Sequence, residues 1–512
     1  MVRCNAPFKA FIFSSTNRGT ASASRRTLTY RICLQHILHN HPLRLPLKYA
    51  IMTPRLIQSQ DLTMNNASLK ERDLAVLWHP CSQMKDYEKY PMTPIKKGDG
   101  VYLEDFDGNR YIDAVSSWWV NLFGHANPTI AQAMKDQVDQ LEHVIFSGFT
   151  HEPAIELAEN LVKITPEGLD RVFYGENGSS AVEIALKMSI HYWQLKGKPE
   201  KTQFVTLENG YHGETTGALA VSDVGLYKEP YETMMFDVMT VPSPDCYYRE
   251  EGESWEDYSR RQFVHMRKLI EEKHETVAAV ILEPLVQCAT GMRMYHPVYL
   301  TELRKLCDEY GVHLIADEIA VGFGRTGTLF ACEQADISPD FMCMSKGLTA
   351  GFLPLSVMMT REEIFEAFYD DYETLKAFLH SHSYTGYATG CAVANATLKI
   401  FREQPIIENN RVLADHMAQA TAHFADHPNV AEVRQTGMIL AAEMVQDKKT
   451  RKGYDWKERR GMRVYEYALS RGALLRPLGN VVYFMPPYVI TPEEIDKLAD
   501  IAWKGIQLAV KD

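Results

Sequence analysis

Short apolar runs that alternate with helix-like segments constrain the fold of this chain more than any other feature of its sequence. The runs are rich in β-branched and aromatic residues and are four to six residues long, too short for helices. They lie at residues 171–174, 203–207, 277–282, 312–316 and 341–345, with helical spacing of apolar residues at 181–193 and 297–310. Strands that alternate with helices form a mostly parallel sheet with helices on both faces. The sequence therefore predicts an α/β fold.

The regions on either side of this alternation have other patterns. Residues 96–113 alternate apolar and polar positions around Asp107-Gly108, which predicts a hairpin. From about residue 397, helices are predicted at 410–427 and 454–471 and strands within 431–445 and 481–490. We therefore expect a large domain with the parallel sheet and a smaller α+β domain. The predicted divisions are a leader at 1–63, an N-terminal segment at 64–125 that joins the small domain, the large domain at 126–396 and the small domain at 397–512.

The leader differs from the rest of the chain in charge. Residues 1–60 hold nine Lys and Arg residues and no acidic residue, although the whole chain has a net charge of −12. A basic leader without acids is typical of a mitochondrial transit peptide, and a start codon assigned too early, before Met52 or Met64, explains it equally well. Within it, Cys33, His36 and their neighbours His39 and His41 imitate a metal-ligand cluster. A disordered leader offers them no packed surroundings, so we predict no metal site.

Composition excludes several classes of protein. The net acidity argues against nucleic acid as a partner, because phosphate binding needs a basic face. No stretch approaches the ~18 uninterrupted apolar residues of a membrane-spanning helix, so we expect no membrane partner. The nine cysteines show no paired CxxC spacing, which favours a reduced intracellular compartment. We expect a cytoplasmic protein, or a mitochondrial one if the leader is a transit peptide.

Active sites of parallel sheets lie at the carboxyl ends of the strands, and three such ends carry suggestive residues. After run 171–174 the loop GENGSS contains Gly178 and Ser179 and leads into a helix, where backbone N–H groups can bind an anion; an ordinary N-cap serine is the alternative. After run 312–316 comes Asp317, whose burial requires a cation or a donor unless it caps a neighbouring helix. After run 341–345 comes Lys346.

The segment Gly322–Gly327 matches G-x-G-x-x-G, which alone would suggest a dinucleotide site. Five residues separate it from the preceding strand, and Lys346 stands where a ribose-binding acid is expected, so the context argues against this. An anion cup, a carboxylate and a lysine in one cleft are instead the three groups that pyridoxal phosphate needs.

Longer motifs in this chain resemble a known family. They are SSWWVNLFGHANP, ENGSSAVEIALKM, GYHGET, EPLVQCATGMRMYHP, IADEIAVGFGRTGTLFACE, SKGLTAG and LLRPLGNVVYFMPPY. From about Leu77 to Asp512 the chain resembles the class III aminotransferases of fold-type I, which are homodimers that use pyridoxal phosphate. The resemblance implies that Lys346 binds the cofactor's aldehyde and that Asp317 pairs with its pyridine nitrogen. It also implies that Tyr211 lies against the ring and that the phosphate is bound by Gly178, Ser179, and Tyr384 and Thr385 of the other subunit.

On the substrate side, the resemblance places Trp118 over the substrate and has Arg476 bind a substrate carboxylate. If this segment is extended, the adjacent Trp119 points into the core. Two further candidates, Arg325 and Tyr483, have equally plausible structural roles. The chain departs from the best-known members at Cys81, where they carry tyrosine, and at Ser383-Tyr384, where they carry Gly-Pro. Both departures border the substrate pocket.

Within the family, the resemblance is strongest to enzymes of biotin synthesis that move the amino group of S-adenosylmethionine to 8-amino-7-oxononanoate, giving 7,8-diaminononanoate. Lysine is the main competing donor. The rivals are an ω-aminotransferase that acts on a diamine or an ω-amino acid, a nicotinamide-dependent oxidoreductase that uses the Gly322–Gly327 loop, and a binding protein of the same fold without activity.

Overall fold

The buried strand Val277–Leu282 lies within a seven-stranded sheet in the computed structural model, which describes residues 64–511. Its side chains alternate between two cores: Val280 packs with one, and Ala279 and Ile281 with the other. Helices therefore cover both faces. The strands follow across the sheet in the order Arg171–Gly175, Ser356–Thr360, Phe341–Met344, His313–Asp317, Val277–Leu282, Gln203–Leu207 and Met239–Val241.

Most of this sheet is parallel. His313 pairs with Ala279 and Asp317 with Cys343 in parallel ladders. Only Ser356–Thr360 is antiparallel to its two neighbours. The prediction of a mostly parallel α/β sheet is confirmed, and all five predicted strands are present. The sequence did not predict Ser356–Thr360 or Met239–Val241.

The described α-helices surround this sheet and continue into the C-terminal part of the chain. Two of them were placed imprecisely from the sequence, since predicted 410–427 begins at Ile406 and turns into a 3₁₀ helix after Thr421, and predicted 454–471 begins only at Arg460. None of the described helices is long and apolar enough to cross a membrane. Their bounds are Asn66–Val76, Ser116–Trp119, Pro128–Val138, Glu152–Ile164, Gly178–Leu195, Thr216–Ala220, Trp255–Lys273, Val298–Tyr310, Glu362–Phe368, Ala388–Glu403, Ile406–Thr421, Arg460–Ser470 and Pro492–Ala509.

Three smaller sheets complete the described part of the chain. The predicted hairpin is present as Tyr102–Asp105 paired with Arg110–Asp113. It belongs to a sheet with Ile95–Asp99 and the distant Ala473–Leu474. The other two sheets consist of Val430–Thr436, Ile439–Asp447, Lys452–Gly453 and Val481–Phe484, and of Val286–Gln287 with Arg293–Met294.

The described residues belong to one compact unit. The predicted divisions at 125 and 396 therefore stay predictions. The leader at 1–63, with its cysteine and histidines, lies outside the described residues.

Candidate active site

A large cavity opens at the carboxyl ends of the central strands. Its volume is about 1210 Å³, and it is lined by residues that directly follow three strands of the sheet. These include Gly178 and Ser179 after Arg171–Gly175, Asp317 at the end of its own strand, and Lys346 just beyond Phe341–Met344. The structure thus brings together the residues that the sequence places at strand ends.

Lys346 begins a short 3₁₀ helix, Lys346–Thr349, with a left-handed backbone (φ 41°). Its ammonium nitrogen lies 4.7 Å from the centre of the Trp119 ring. Burial lowers the pKa of Lys346, although the nearby Cys288 and Asp317 act in the opposite direction. A lowered pKa increases the fraction of neutral amine, which is the nucleophilic form.

Asp317 is buried and lies in direct contact with a histidine. His212 Nδ1 lies 2.8 Å from Asp317 Oδ2, and the Ile319 N–H donates to Asp317 Oδ1 over 3.1 Å. Because a carboxylate can only accept, the proton of this pair belongs on Nδ1. The other nitrogen, His212 Nε2, is buried and has no partner among the described residues. The pair holds the Asp317 side chain in place at the wall of the cavity.

Glu283 is a second buried carboxyl group at the cavity wall. It accepts the backbone N–H groups of Tyr211 (3.0 Å) and Cys288 (2.9 Å). Burial raises the pKa of Glu283 to about 7, against which His212 acts to lower it and Asp317 to raise it further. Glu283 therefore fixes the backbone of Tyr211 and titrates near neutral pH.

The start of helix Gly178–Leu195 lies at the cavity, where the sequence predicts an anion cup. Its N-cap is Asn177, whose side chain accepts the Ser180 N–H over 3.1 Å, so no serine caps the helix. Ser179 Oγ instead accepts the Glu214 N–H over 3.1 Å. A Cβ on Gly178 would lie 3.0 Å from Ile319, and one on Gly213 only 2.0 Å from Ser179 Oγ. Glycine at both positions keeps this corner of the cavity open.

Trp119 is buried in the core as expected, but it also lines the cavity together with Trp118, and the segment is not extended. Residues Ser116–Trp119 form a left-handed turn with φ between 47° and 72°. In this turn both indoles reach the cavity wall. Trp118 lies under the Arg476 guanidinium, 5.3 Å from ring centre to Cζ, and the Trp119 Nε1–H donates to Tyr483 Oη over 3.1 Å.

Arg476 and Glu214 are among the charged groups at the cavity that have no salt-bridge partner within residues 64–511. Arg476 lies over Trp118 without a carboxylate within salt-bridge distance, and Glu214 accepts only the Tyr211 hydroxyl, over 3.0 Å. A cation and an anion that face one cavity uncompensated suit a ligand that carries both charges.

Several predicted site residues are not part of this cavity. Arg325 is buried beneath it, where its guanidinium donates to the carbonyls of Pro486 (2.7 Å), Trp119 (3.3 Å) and Asn121 (2.9 Å). It contacts the tryptophan turn from the buried side, and its candidate role in binding substrate stays a prediction. Nor does the cavity of this subunit include Ser383, Tyr384 or Thr385: the first two are exposed at the surface, whereas Thr385 Oγ1 is buried without a partner. Cys81 and Tyr483 do line the cavity.

The cavity residues that sequence reasoning missed include His212, Glu283, Glu214 and Tyr227. His212 and Glu214 belong to the motif GYHGET, and Glu283 belongs to EPLVQ. These motifs indicated the family but not the roles of these three residues. Tyr227 lies in a segment without any motif. No group of three or more metal-ligating side chains occurs within residues 64–511.

The cavity fits pyridoxal phosphate. It offers an amine of lowered pKa, a buried carboxylate fixed by His212, and a helix start whose first two N–H groups have no acceptor among the described residues. The glycines at 178 and 213 leave room at that helix start.

Comparison with known proteins agrees with this chemistry. Residues 83–505 match the family model of class III aminotransferases. Adenosylmethionine-8-amino-7-oxononanoate aminotransferase of Helicobacter pylori is 46% identical over 84% of this chain and 95% of its own length. The crystal structure of the enzyme of that name from Methanocaldococcus jannaschii is 37% identical, with a TM-score of 0.82 over 87% of this chain and 99% of the other.

A more distant relative is the ω-transaminase of Pseudomonas jessenii, solved in complex with PMP. It is 30% identical, with a TM-score of 0.82 over 86% of this chain and 98% of the other. The family match covers far more than half of the chain, and the relatives match along nearly their whole lengths. The chain belongs to the class III aminotransferases and is an aminotransferase that depends on pyridoxal phosphate.

Proposed function

We propose that this enzyme moves the amino group of S-adenosylmethionine to 8-amino-7-oxononanoate, giving 7,8-diaminononanoate for biotin synthesis. The observation that carries the proposal is the uncompensated Arg476 in the cavity that also holds Lys346 and Asp317. Both proposed substrates carry a carboxylate for this arginine. The names of the relatives from Helicobacter pylori and Methanocaldococcus jannaschii support the same pair of substrates.

Four side chains and one helix start would hold the cofactor. Lys346 would bind its aldehyde, Asp317 would face the pyridine nitrogen, and Tyr211 would lie against the ring. The N–H groups of Gly178 and Ser179, together with the Ser179 hydroxyl, would take the phosphate. When bound, the cofactor supplies an electron sink that stabilises negative charge on the substrate carbon next to nitrogen.

Residues of the chain itself would transfer protons and position the groups around the cofactor. Lys346 sits in a site that lowers its pKa, so its amine can take a proton from the substrate carbon and return it to another position. His212 contacts Asp317 and so fixes the orientation of the carboxylate that would face the pyridine nitrogen. Glu283 accepts a hydrogen bond from the Tyr211 backbone N–H and thereby positions Tyr211, which would lie against the cofactor ring.

Arg476 and Glu214 would orient both substrates. The guanidinium of Arg476 would bind the carboxylate in bidentate fashion, and Glu214 would receive an ammonium group. Trp118 offers an indole surface that suits both a methylene chain and a sulfonium. Tyr483 and Cys81 complete the wall around them.

A homodimer would bring Ser383, Tyr384 and Thr385 of one subunit to the cofactor of the other. The exposure of Ser383 and Tyr384 at the surface of a single subunit supports such a contact. Mixing Lys346→Ala subunits with Thr385→Ala subunits tests it. Each mixed dimer would regain one complete site, so activity in the mixture and none in either parent supports shared sites. No recovery after verified subunit exchange contradicts them.

We place the enzyme in the cytoplasm or, if the basic leader is a transit peptide, in mitochondria, with no nucleic acid as partner. The seven described cysteines are free thiols, as a reducing compartment keeps them. The net charge of −12 is unsuited to nucleic acid. Microscopy of the tagged full-length chain distinguishes the two compartments.

The decisive assay for the reaction supplies the holoenzyme with 8-amino-7-oxononanoate and one donor at a time. We expect 7,8-diaminononanoate with S-adenosylmethionine and little with lysine, and no product with the Lys346→Ala variant. Robust turnover of ornithine or 4-aminobutyrate without any reaction of the oxononanoate would establish the rival ω-aminotransferase. The oxidoreductase alternative finds no support, because only the short 3₁₀ helix Ala331–Ala335 follows Gly327, where a dinucleotide site needs an α-helix, and the Arg325 side chain is committed to backbone carbonyls.

A further inference from the structure

Two segments that are distant in sequence meet at the wall of the cavity. Cys81 Sγ lies 2.7 Å from Tyr227 Oη, and both residues line the cavity together with Arg476 and Glu214. Tyr227 ends the short 3₁₀ turn Gly225–Tyr227, which no sequence motif marks. The contact gives the Tyr227 hydroxyl a fixed partner within the site.

The backbone on both sides of this turn is anchored. Lys228 Nζ donates to the carbonyls of Ala220 (2.7 Å) and Ser222 (2.9 Å) at the end of helix Thr216–Ala220. Ahead of the turn, the Asp223 N–H donates to the Gly210 carbonyl over 2.7 Å. Tyr227 is therefore held at the cavity by contacts of its neighbours, independently of any ligand.

Charge and burial define the state of the phenol. Burial and the contact with Cys81 raise the pKa of Tyr227, and Glu214 raises it further, whereas Arg476 acts to lower it. The hydroxyl stays protonated at neutral pH. Tyr227 thus presents a neutral aromatic ring that is 41% exposed, beside two charged groups that would bind a carboxylate and an ammonium.

Those two charged groups cannot distinguish the proposed substrates, because each substrate carries both a carboxylate and an amino group. The substrates differ in what else they carry: the donor has a sulfonium and a flat adenine, the acceptor a bare methylene chain. An exposed aromatic ring favours the donor, because it can stack with the adenine base and attract the sulfonium cation. Trp118 lies under Arg476, and Tyr227 offers a second exposed aromatic surface in the same cavity.

We propose that Tyr227, positioned by Cys81, is a specificity-determining residue that contacts the nucleoside sulfonium portion of the amino donor. The inference rests on the proposed function and adds to it a residue that selects the donor. It predicts a preference for donors with an aromatic, cationic extension over short aliphatic amines.

The test follows the two half-reactions of the holoenzyme separately by the absorption of the bound cofactor. Tyr227→Ala should weaken the donor half-reaction at least about tenfold in apparent affinity, which corresponds to the stacking energy lost, and change the acceptor half-reaction less than about twofold. Tyr227→Phe, which keeps the ring, should retain most of the donor affinity. Tyr231→Ala is the matched control, because Tyr231 belongs to the next turn, is 51% exposed and does not line the cavity.

Equal losses in both half-reactions of Tyr227→Ala, with an unchanged melting temperature, would overturn the inference, and so would no loss in either. A Tyr227→Phe variant as impaired as Tyr227→Ala would show that the hydroxyl and not the ring matters, which also overturns it. The wild-type protein separates these results from failure of the proposed function. If wild type does not react with S-adenosylmethionine at all, the proposed function is wrong; if it reacts and the variants are unselective, only the role of Tyr227 is wrong.

Discussion

Replacing Gly213 by alanine should impair the anion cup in a way that a matched glycine substitution does not. The new Cβ would lie 2.0 Å from Ser179 Oγ, whereas real Cβ contacts stay beyond 3.0 Å, so Ser179 must move by at least 1.0 Å. Such a displacement also breaks the hydrogen bond that Ser179 Oγ accepts from the Glu214 N–H. A shift of ~1 Å in a binding group can cost up to about a hundredfold, and a lost hydrogen bond about 0.5–1.5 kcal/mol.

We therefore expect Gly213→Ala to weaken binding of pyridoxal phosphate to the cofactor-free protein by about 10- to 100-fold, or about 1.4–2.7 kcal/mol. The matched control is Gly197→Ala. Gly197 also has a positive φ (75°, against 123° for Gly213), but a Cβ there would meet nothing within 4 Å. Both variants should lose about 1–2 kcal/mol of folding stability from the backbone alone.

The assay is a titration of the cofactor-free protein with pyridoxal phosphate, followed by absorbance, with melting temperatures of both variants as the check on folding. A Gly213→Ala protein that binds the cofactor as tightly as Gly197→Ala would refute the reasoning. The close approach of Gly213 to Ser179 would then have no part in the site.

Three further perturbations test other parts of the structure. The pKa of the Glu283 carboxyl is about 7 in the folded protein and ordinarily 4.5, so the folded protein holds an extra proton between these pH values. Its free energy of unfolding therefore falls by about 3 kcal/mol as pH rises from 4.5 to 7. Glu283→Gln in the cofactor-free protein should flatten the decline of melting temperature over this range, and an unchanged decline would contradict the assignment. Arg325→Lys should reduce the free energy of unfolding by about 2–4 kcal/mol, because the single ammonium nitrogen of lysine cannot span the separated carbonyls that two guanidinium nitrogens bind, and a denaturation curve that matches wild type would contradict this structural role. Arg476→Lys should raise the KM of both substrates about tenfold or more, because lysine cannot bind a carboxylate in bidentate fashion. The melting temperature should stay constant, since Arg476 has no ion-pair partner among the described residues. An effect on one substrate only would mean that the other binds elsewhere.

The convergence of Lys346, Asp317 and Gly178 was predictable because it depends only on sheet topology. Parallel strands have their carboxyl ends at one edge, so residues that follow different strands meet there whatever their distance along the chain. Short apolar runs were enough to identify the strands, and the residues directly after these runs were therefore the candidates for the site. The antiparallel strand Ser356–Thr360 was missed, although its five residues are as buried as those of the others, because no polar residue of chemical interest drew attention to its end.

Residues that act through tertiary contacts could not be predicted from local patterns. Tyr227 reaches the cavity only because Cys81, 146 positions earlier, and the anchored Lys228 place it there. Arg325 was a candidate substrate ligand because a buried arginine near an active site often binds a carboxylate. Its actual partners are backbone carbonyls of segments that lie 161 to 206 residues away, and no spacing in the sequence indicates them.

The tryptophan turn shows why such contacts decide the substrate site. Left-handed backbone costs about 1–2 kcal/mol for a residue with a Cβ, and all four residues of Ser116–Trp119 adopt it. The Ser116 hydroxyl donates to the Met485 carbonyl over 2.7 Å, and Arg325 donates to the Trp119 carbonyl from the buried side. These contacts offset a conformation that the local sequence disfavours. In return the turn directs Trp118 under Arg476, which we propose binds the substrate carboxylate, and Trp119 beside the Lys346 amine, so neighbouring residues of one strained segment position both groups.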